Sequence, residues 1–370
     1  MFKKKVCLID EDGRYGGPQK RMVITTNEID KSSYEIEFLI PENDTLIFEE
    51  ILQENKLKYT KKNITRLSLE PKILFKYFLL FFYEILMIKN FLKKEKFQII
   101  QINSTSQFKG LIAGLLLNLK IIWVIEDTYM PLPVVIVFKI LARLSKCHII
   151  YTSERVYKFY LKDNHFNQKT KIFAPVKIER DVNKKINNTN QIKILTISGY
   201  VPVKGLECFI EICNHLKLNK EYDFKFTICG SKISSQILYY KKIQKLIDIS
   251  NLKIEQLGFR KNINKLLKEC DIFLCTSLSE AGPMTLFEAI AMGKPVVTSD
   301  VGASREIIGK KYHNYIVPIN EPYKFAEKIL DLLNNRNKMM QFASDNCIRA
   351  SQLVCSKVIA EKYCKIYDDI

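Results

Sequence analysis

Along this chain short apolar runs, each closed by small or polar residues, alternate with longer segments of helical spacing. Runs of that kind read as parallel strands buried on both faces, because crossover helices cover such a sheet above and below. Residues 6–10, 34–40, 97–102, 121–125 and 148–152 are strands on this reading, and 192–198, 224–230, a run from 254, 271–275 and 296–297 continue the pattern. Strand and helix signals alternating in both halves predict two α/β domains with parallel sheets. Between the halves, residues 177–190 are polar, charged and asparagine-rich, which predicts a linker. The expected division is therefore a domain at 1–176, the linker, a second domain at 191–350 and a partly apolar helical tail at 351–370.

The densest pattern runs over 270–308. After the strand at 271–275 come Thr276, Ser277, Ser279 and Glu280; Pro283 suits a first helical position, Gly293 suits the position after the last turn, and Val296 and Val297 resume a strand. In such a strand-helix-strand unit the loop and the helix N-terminus form an edge where free N–H groups attract phosphate. Glu280 lies in that loop. Glu288 lies about one turn into the helix, and its side chain leans back toward the N-terminus and the same loop. Gly282 removes bulk between them, and paired carboxylates hold sugar or ribose hydroxyls.

Strand, glycine loop and helix recur twice more. Residues 6–10 lead to Gly13, Gly16 and Gly17 before a helix from Gln19, and residues 192–198 lead to Gly199, Lys204 and Gly205 before a helix from Leu206. An ammonium beside a glycine at a helix start suits a diphosphate. Neither first-strand loop holds G-x-G-x-x-G, which argues against an NAD enzyme.

The stretch from Glu280 to Glu288, followed by Ala289, Gly293, Pro295, Val296, Val297 and Gly302, resembles the Glu-x7-Glu signature of the family 4 retaining glycosyltransferases. The resemblance implies the GT-B fold, two Rossmann-like α/β domains facing across a cleft, with a nucleotide-sugar held mainly by the second. It implies transfer from a UDP- or GDP-sugar to a hydroxyl with retention of configuration, without metal or other cofactor. By the same resemblance Lys204 and Glu280 are the catalytic candidates. Gly16 and Gly17 close over the diphosphate, Gly199 and Gly205 flank Lys204, and the turn Gly258, Phe259, Arg260 meets the base. Gly282, Pro283, Met284, Thr285 and Leu286 line the donor, Glu288 holds the ribose, and the tail at 351–370 packs back on the first domain.

Two positions depart from the family pattern. A histidine usually follows the strand matching 121–125, where this chain has Glu126 and Asp127, the expected acceptor-side residues. An arginine usually follows the first glycine, where this chain has Tyr200; Arg260 is the candidate replacement cation. Asp10, Glu11 and Asp12 contain the D-x-D of metal-dependent GT-A transferases, but they close the first strand, too early for that architecture.

Composition narrows the setting. At 370 residues, 47% of them hydrophobic, the chain has room for two cores. Its ten cysteines have no C-x2-C spacing and its four histidines no ligand spacing, so reduced core thiols in a cytoplasmic protein are expected. The basic start passes into a strand that ends in acids, without the long apolar core of a secretion signal. A net charge of +18 suits anionic lipid or a phosphorylated substrate, while no basic motif interleaved with aromatics points to nucleic acid.

Residues 73–92 are apolar nearly all round apart from Lys76, Glu84 and Lys89. A helix lying on an anionic leaflet and a helix buried in the first domain both fit this pattern. With the first, the acceptor is a lipid-linked or glycan hydroxyl in surface polysaccharide assembly, and the protein sits peripherally on the inner face of the plasma membrane. Two rival readings are a non-catalytic nucleotide- or glycan-binding partner subunit and an enzyme that acts on the nucleotide-sugar alone, such as an epimerase.

Overall fold

The computed structural model describes residues 3–128, 130–162, 168–178 and 191–370. The expected linker lies mostly outside the described residues, as does His165. The chain forms two units, Met1–Pro175 with Ser356–Ile370, and Val176–Cys355.

The first unit runs β1 (Lys4–Ile9), α1 (Gly17–Glu28), β2 (Tyr34–Pro41), α2 (Leu46–Glu54), β3 (Lys58–Lys62), α3 (Pro71–Lys94), β4 (Ile99–Asn103), α4 (Phe108–Leu116), β5 (Lys120–Ile125), α5 (Leu132–Ser145), β6 (His148–Tyr151), α6 (Glu154–Tyr160) and β7 (Lys169–Lys171). Among the described residues its sheet has the order β3-β2-β1-β4-β5-β6-β7 and is parallel throughout. The order reverses beside β1, which pairs Val6 with Ile36 on one side and Ile99 on the other.

Strand periodicity divides the core. Val6, Leu8, Ile122 and Val124 pack with Met22 and Val23 of α1 in one cluster. Trp123 points the opposite way, against Phe108 of α4 at 6.3 Å and Phe138 of α5 at 4.7 Å between ring centroids. β3, KYTKK, was not foreseen. It is a basic edge strand, and an edge needs charge rather than an apolar run.

The second unit runs β8 (Gln191–Ile197), α7 (Leu206–Lys217), β9 (Asp223–Cys229), α8 (Ile237–Ser250), β10 (Ile254–Gln256), α9 (Asn264–Glu269), β11 (Ile272–Cys275), α10 (Met284–Ala291), β12 (Val296–Ser299), α11 (Ser304–Ile307), β13 (Ile316–Val317), α12 (Pro322–Asn334) and α13 (Arg336–Leu353). Its described strands form a second parallel sheet, β10-β9-β8-β11-β12-β13, which reverses between β8 and β11. Gly293 ends α10 at φ 69°, with its own N–H on Ile290 O and the Lys294 N–H on Ala289 O. That is a Schellman stop, and it turns the chain into β12.

The last helix, α14 (Ser356–Asp369), belongs to the first unit and starts later than the expected 351, because α13 continues to Leu353. Ile359, Tyr363, Ile366 and Tyr367 form its buried stripe. Tyr363 OH accepts from Arg21 of α1 at 2.7 Å, and Tyr367 OH donates to Gln101 of β4 at 2.9 Å.

α3 is not fully buried, and it carries apolar side chains on both its inner and its outer side. Tyr77, Glu84, Ile85, Ile88 and Leu92 face inward, while Phe75, Phe78, Leu79, Phe82, Tyr83 and Leu86 are exposed. Its one acid is on the buried side. Glu84 Oε2 accepts from Lys109 Nζ of α4 at 2.5 Å, and its carboxylate also accepts from the Thr65 N–H and hydroxyl. Both charged side chains have 0% exposure.

Among the described residues every cysteine is a free thiol. Burial pushes the thiols of Cys7 and Cys213 well above their ordinary range, which keeps them protonated and inert.

Candidate functional site

In the second unit, loops at the carboxyl ends of β8 and β11 meet where the sheet order reverses, the usual place for a ligand crevice in an open α/β sheet. The Leu278 N–H donates to Val203 O at 2.8 Å, and Thr276 Oγ1 donates to Lys204 O at 3.2 Å. These bonds clamp the loops together. Gly205 makes the clamp sterically feasible, since a Cβ there would stand 2.3 Å from Thr276 O and the backbone has φ +61°.

Lys204 closes a single 3-10 turn, Pro202–Lys204, just before α7. Its ammonium donates to Glu280 Oε1 at 2.5 Å, and the Ser277 hydroxyl donates to the same oxygen at 2.8 Å. Burial disfavours the Lys204 charge, but the adjacent Glu280 carboxylate outweighs burial and raises the pKa. The expected catalytic residues are therefore a fixed pair of half-buried charges. The ammonium suits a phosphate oxygen and the carboxylate suits sugar hydroxyls.

Beside them α10 begins. Pro283 is its N-cap, one position earlier than expected, and the Phe287 N–H closes the first turn on Pro283 O at 3.1 Å. Met284, Thr285 and Leu286 thus hold first-turn N–H groups without an intrahelical acceptor. Leu286 is fully buried, so only its backbone can meet a ligand. Glu288 is half-buried on this helix. Gly302 lies against the Glu280 loop, because a Cβ there would stand 2.5 Å from Ala281 O.

Around β9 and β10 the picture shifts from the sequence reading. Gly199 is packed loosely, whereas a Cβ on Gly230 would stand 1.9 Å from Ser198 O. Gly230 is therefore the residue that lets two strand-end loops touch, and its N–H reaches Gly258 O at 3.0 Å. A glycine closing an apolar strand was its only signal in the sequence. Gly258 is at φ 67° in open space, and Phe259 and Arg260 are exposed. Arg260 donates to the Phe259 carbonyl at 3.2 Å. Tyr200 is turned inward, its hydroxyl donating to Gln256 at 2.5 Å and its ring edge-on to Tyr240. Lys232, missed in the sequence, sits 4.2 Å from that Tyr240 ring and is exposed.

In the first unit the β1 loop is organised by Asp10. This fully buried carboxylate accepts from Gln19 at 2.6 Å, Gln107 at 2.8 Å and the Asp12 N–H at 2.9 Å. Gln19 Oε1 in turn accepts from the Gly16 N–H at 3.0 Å, leaving Gly16 and Gly17 exposed at the start of α1. Gly13 is the sterically constrained glycine here, since a Cβ there would stand 2.3 Å from Thr45 Cγ2. The D-x-D is used internally: Asp10 holds the loop, buried Glu11 accepts from the Gly110 N–H at 3.0 Å, and Asp12 pairs with Arg14 at 2.6 Å. Among the described residues no cluster of three or more metal-ligating side chains forms.

Burial raises the Asp10 pKa from 3.8 to about 7, against the hydrogen bonds that favour its charge. The unfolded chain loses this proton near 3.8 and the folded chain near 7, so in that window the folded state holds the extra proton. Stability should therefore fall as pH rises through the window, by on the order of 4 kcal/mol, and level off above it. Asp10→Asn should flatten that slope. Thermal melts at pH 5 and pH 8 check this; equal slopes for both proteins would remove Asp10 as the cause.

Glu126 and Asp127 follow β5. Asp127 accepts from Thr105 at 2.9 Å and from the Tyr160 hydroxyl, a structural role. Glu126 Oε1 lies 3.7 Å from Arg21 Nη1, and burial first, then Asp127, raises its pKa while Arg21 lowers it.

Comparison with known proteins is consistent with this geometry. Residues 177–346 match the profile described as glycosyl transferases group 1. An uncharacterized glycosyltransferase of Methanocaldococcus jannaschii is 32% identical over 182 residues, 48% of each chain. The N,N'-diacetylbacillosaminyl-diphospho-undecaprenol alpha-1,3-N-acetylgalactosaminyltransferase of Campylobacter jejuni is 27% identical over 204 residues, 54% of this chain and 52% of its own. The chain spans about half the length of these curated relatives. The crystal structure of Anabaena HepE with UDP and glucose has a TM-score of 0.82 at 16% identity, covering 99% of this chain and 100% of HepE. At that identity the likeness shows the fold alone, and the fold is GT-B.

Proposed function

From the match of residues 177–346 to the glycosyl transferases group 1 profile, we propose that the chain transfers a sugar from a nucleoside-diphosphate sugar to a hydroxyl of a lipid-linked glycan, with retention of configuration, in surface polysaccharide assembly. The observation that carries this is the Lys204–Glu280 pair, fixed at the reversal of the second sheet beside the free first-turn amides of α10. The UDP held by HepE supports a UDP-sugar as donor, with a GDP-sugar second. The diphospho-undecaprenol in the Campylobacter relative's name supports a lipid-linked acceptor.

As the bond from the sugar to the diphosphate breaks, negative charge grows on the leaving group. Lys204 and the N–H groups of Met284, Thr285 and Leu286 stabilise it, Glu280 holds the sugar hydroxyls and Glu288 the ribose. On the first unit the exposed Gly16 and Gly17 are a second candidate phosphate contact, and Glu126 a candidate for acceptor hydroxyls. Asp127 acts by positioning, through Thr105 and Tyr160. Free cysteines throughout the described residues support a cytoplasmic setting. No described helix is long and apolar enough to cross a membrane, and the chain works at the inner membrane face as a peripheral protein.

A non-catalytic nucleotide-binding subunit is the second reading. It is favoured by the inward turn of Tyr200 at a position where a cation is expected. One experiment separates the two: nucleotide release from a panel of NDP-sugars, with and without a membrane lipid extract and with and without chelator. Chelator-resistant release from one donor, dependent on the extract, is the expected result. Silence with every donor supports the subunit reading, consumption of donor without acceptor supports an enzyme of the nucleotide-sugar itself, and loss of release with chelator reopens a metal-dependent route.

A further inference from the structure

We infer that the first unit docks on an anionic lipid bilayer through a single face built by α3, α4 and α5 together. These helices carry the chain from β3 to β4, β4 to β5 and β5 to β6, all in one direction along the sheet, so right-handed crossovers place them on one side. Side-chain contacts agree. Lys109 of α4 reaches Glu84 of α3, and Phe108 of α4 and Phe138 of α5 both pack on Trp123.

The outer surface of this layer is apolar at helical spacing. On α3, Phe75, Phe78, Leu79, Phe82, Tyr83 and Leu86 are exposed, Phe75 at 71% and Phe82 at 76%. On α5, Leu132, Ile136, Ile140 and Leu144 repeat at every fourth position, with Leu132 at 70% and Leu144 at 73%. Leu116 of α4 is 55% exposed as well. Large exposed apolar patches of this kind mark an interaction surface rather than ordinary solvent exposure.

Charge identifies the occupant. The three helices contain one acid, Glu84, and it is buried against Lys109. The other charges are basic, with Lys72 and Lys76 near one end of α3, Lys93 and Lys94 at the other, and Lys139 and Arg143 on α5. A second copy applied to this face would bring cations together, whereas anionic headgroups neutralise them while the aromatic and aliphatic side chains enter the interface. The helices lie in the plane of the surface, because none of them is long and apolar enough to cross. This deepens the lipid-linked acceptor reading and rests on it for its setting. The surface argument adds α5, which that reading does not require.

The test is flotation of the full chain with vesicles of phosphatidylcholine alone or mixed with phosphatidylglycerol, without donor or acceptor. Binding to the mixed vesicles only, weakened by salt, is expected. Ile136→Gln with Ile140→Gln on α5, and Phe78→Gln with Phe82→Gln on α3, should each lower partitioning roughly tenfold or more. Leu238→Gln on α8 of the second unit, an equally exposed apolar site, should not. Thermal melts and nucleotide release are read on the same samples.

No flotation with mixed vesicles, or equal flotation with neutral ones, overturns the proposal. Unchanged binding by the folded α5 pair overturns the three-helix face, and a concentration-dependent dimer lost in these variants assigns the face to a second copy. Nucleotide release without flotation removes the docking face and leaves the transferase reading standing. Flotation without release does the reverse.

Discussion

Lys204→Ala is expected to lower nucleotide release at saturating donor by about 10²- to 10³-fold, because it removes a preorganised charge that acts as the leaving group develops. Its ammonium is held in place before any ligand arrives, by Glu280 Oε1 at 2.5 Å and by the loop clamp through its own carbonyl. Lys204→Arg keeps the charge but offers a planar fork where the loops fit a single ammonium, and it should recover only part of the rate. Glu288→Ala provides the contrast. On the proposed assignment it raises KM for the donor with a smaller effect on kcat, since a ribose contact serves ground and transition states alike. Steady-state release assays on folded variants separate the two patterns, and a Lys204→Ala protein with unchanged kcat would remove Lys204 from the chemistry.

Glu84→Ala should destabilise the first unit by about 3–5 kcal/mol, the usual result of stripping the partner from a fully buried charge. The Lys109 ammonium would keep the Thr65 carbonyl and the Tyr77 ring, whose centroid is 4.0 Å away, but no counter-charge from α3. Glu11 lies in the same field, where the Lys109 charge partly offsets the rise that burial imposes on its pKa. For a unit of this size each kcal/mol moves Tm by about 2–4 °C, so a fall near 10 °C is expected in thermal unfolding. The double variant Glu84→Leu with Lys109→Met should recover most of that loss, because it removes both desolvated charges and leaves apolar volume between α3 and α4. A single variant that melts within a degree or two of the parent would contradict the buried-pair account. The pair also ties α3 to α4, so vesicle binding in Glu84→Ala reports whether the exposed face needs that anchor.

Strand runs in both halves were legible because parallel strands buried on two faces are written as continuous apolar segments. The basic edge strand β3 was not, since an edge is selected by charge and by its neighbour's free backbone. The candidate loop after β11 was readable for a similar local reason. Glu280, Gly282, Pro283 and Glu288 occupy one strand-loop-helix unit, whose order is set by residues close to one another in the chain. The glycines were harder to rank. Gly16 and Gly199 looked alike as loop signals, while Gly13 and Gly230 are the ones whose Cβ atoms would collide with a neighbouring loop.

What the sequence by itself determined, then, is local: alternating strands and helices, a carboxylate pair with fixed spacing, a lysine beside a glycine, and a helix too charged to span a membrane. Such features depend on residues within a turn or two of one another, where backbone geometry leaves few choices. Tertiary structure decided the rest, because each remaining question is about which distant residues meet. Lys204 and Glu280 are 76 positions apart and share a hydrogen bond. Asp10 is held by Gln19 and Gln107, and Tyr200 points to Gln256 rather than outward. α3 divides between a buried ion pair and an exposed aromatic stripe only because α4 presents Lys109 to one side of it. Apolar composition is blind to that division, since a buried and an exposed apolar side chain are chemically the same until the packing says which side is covered.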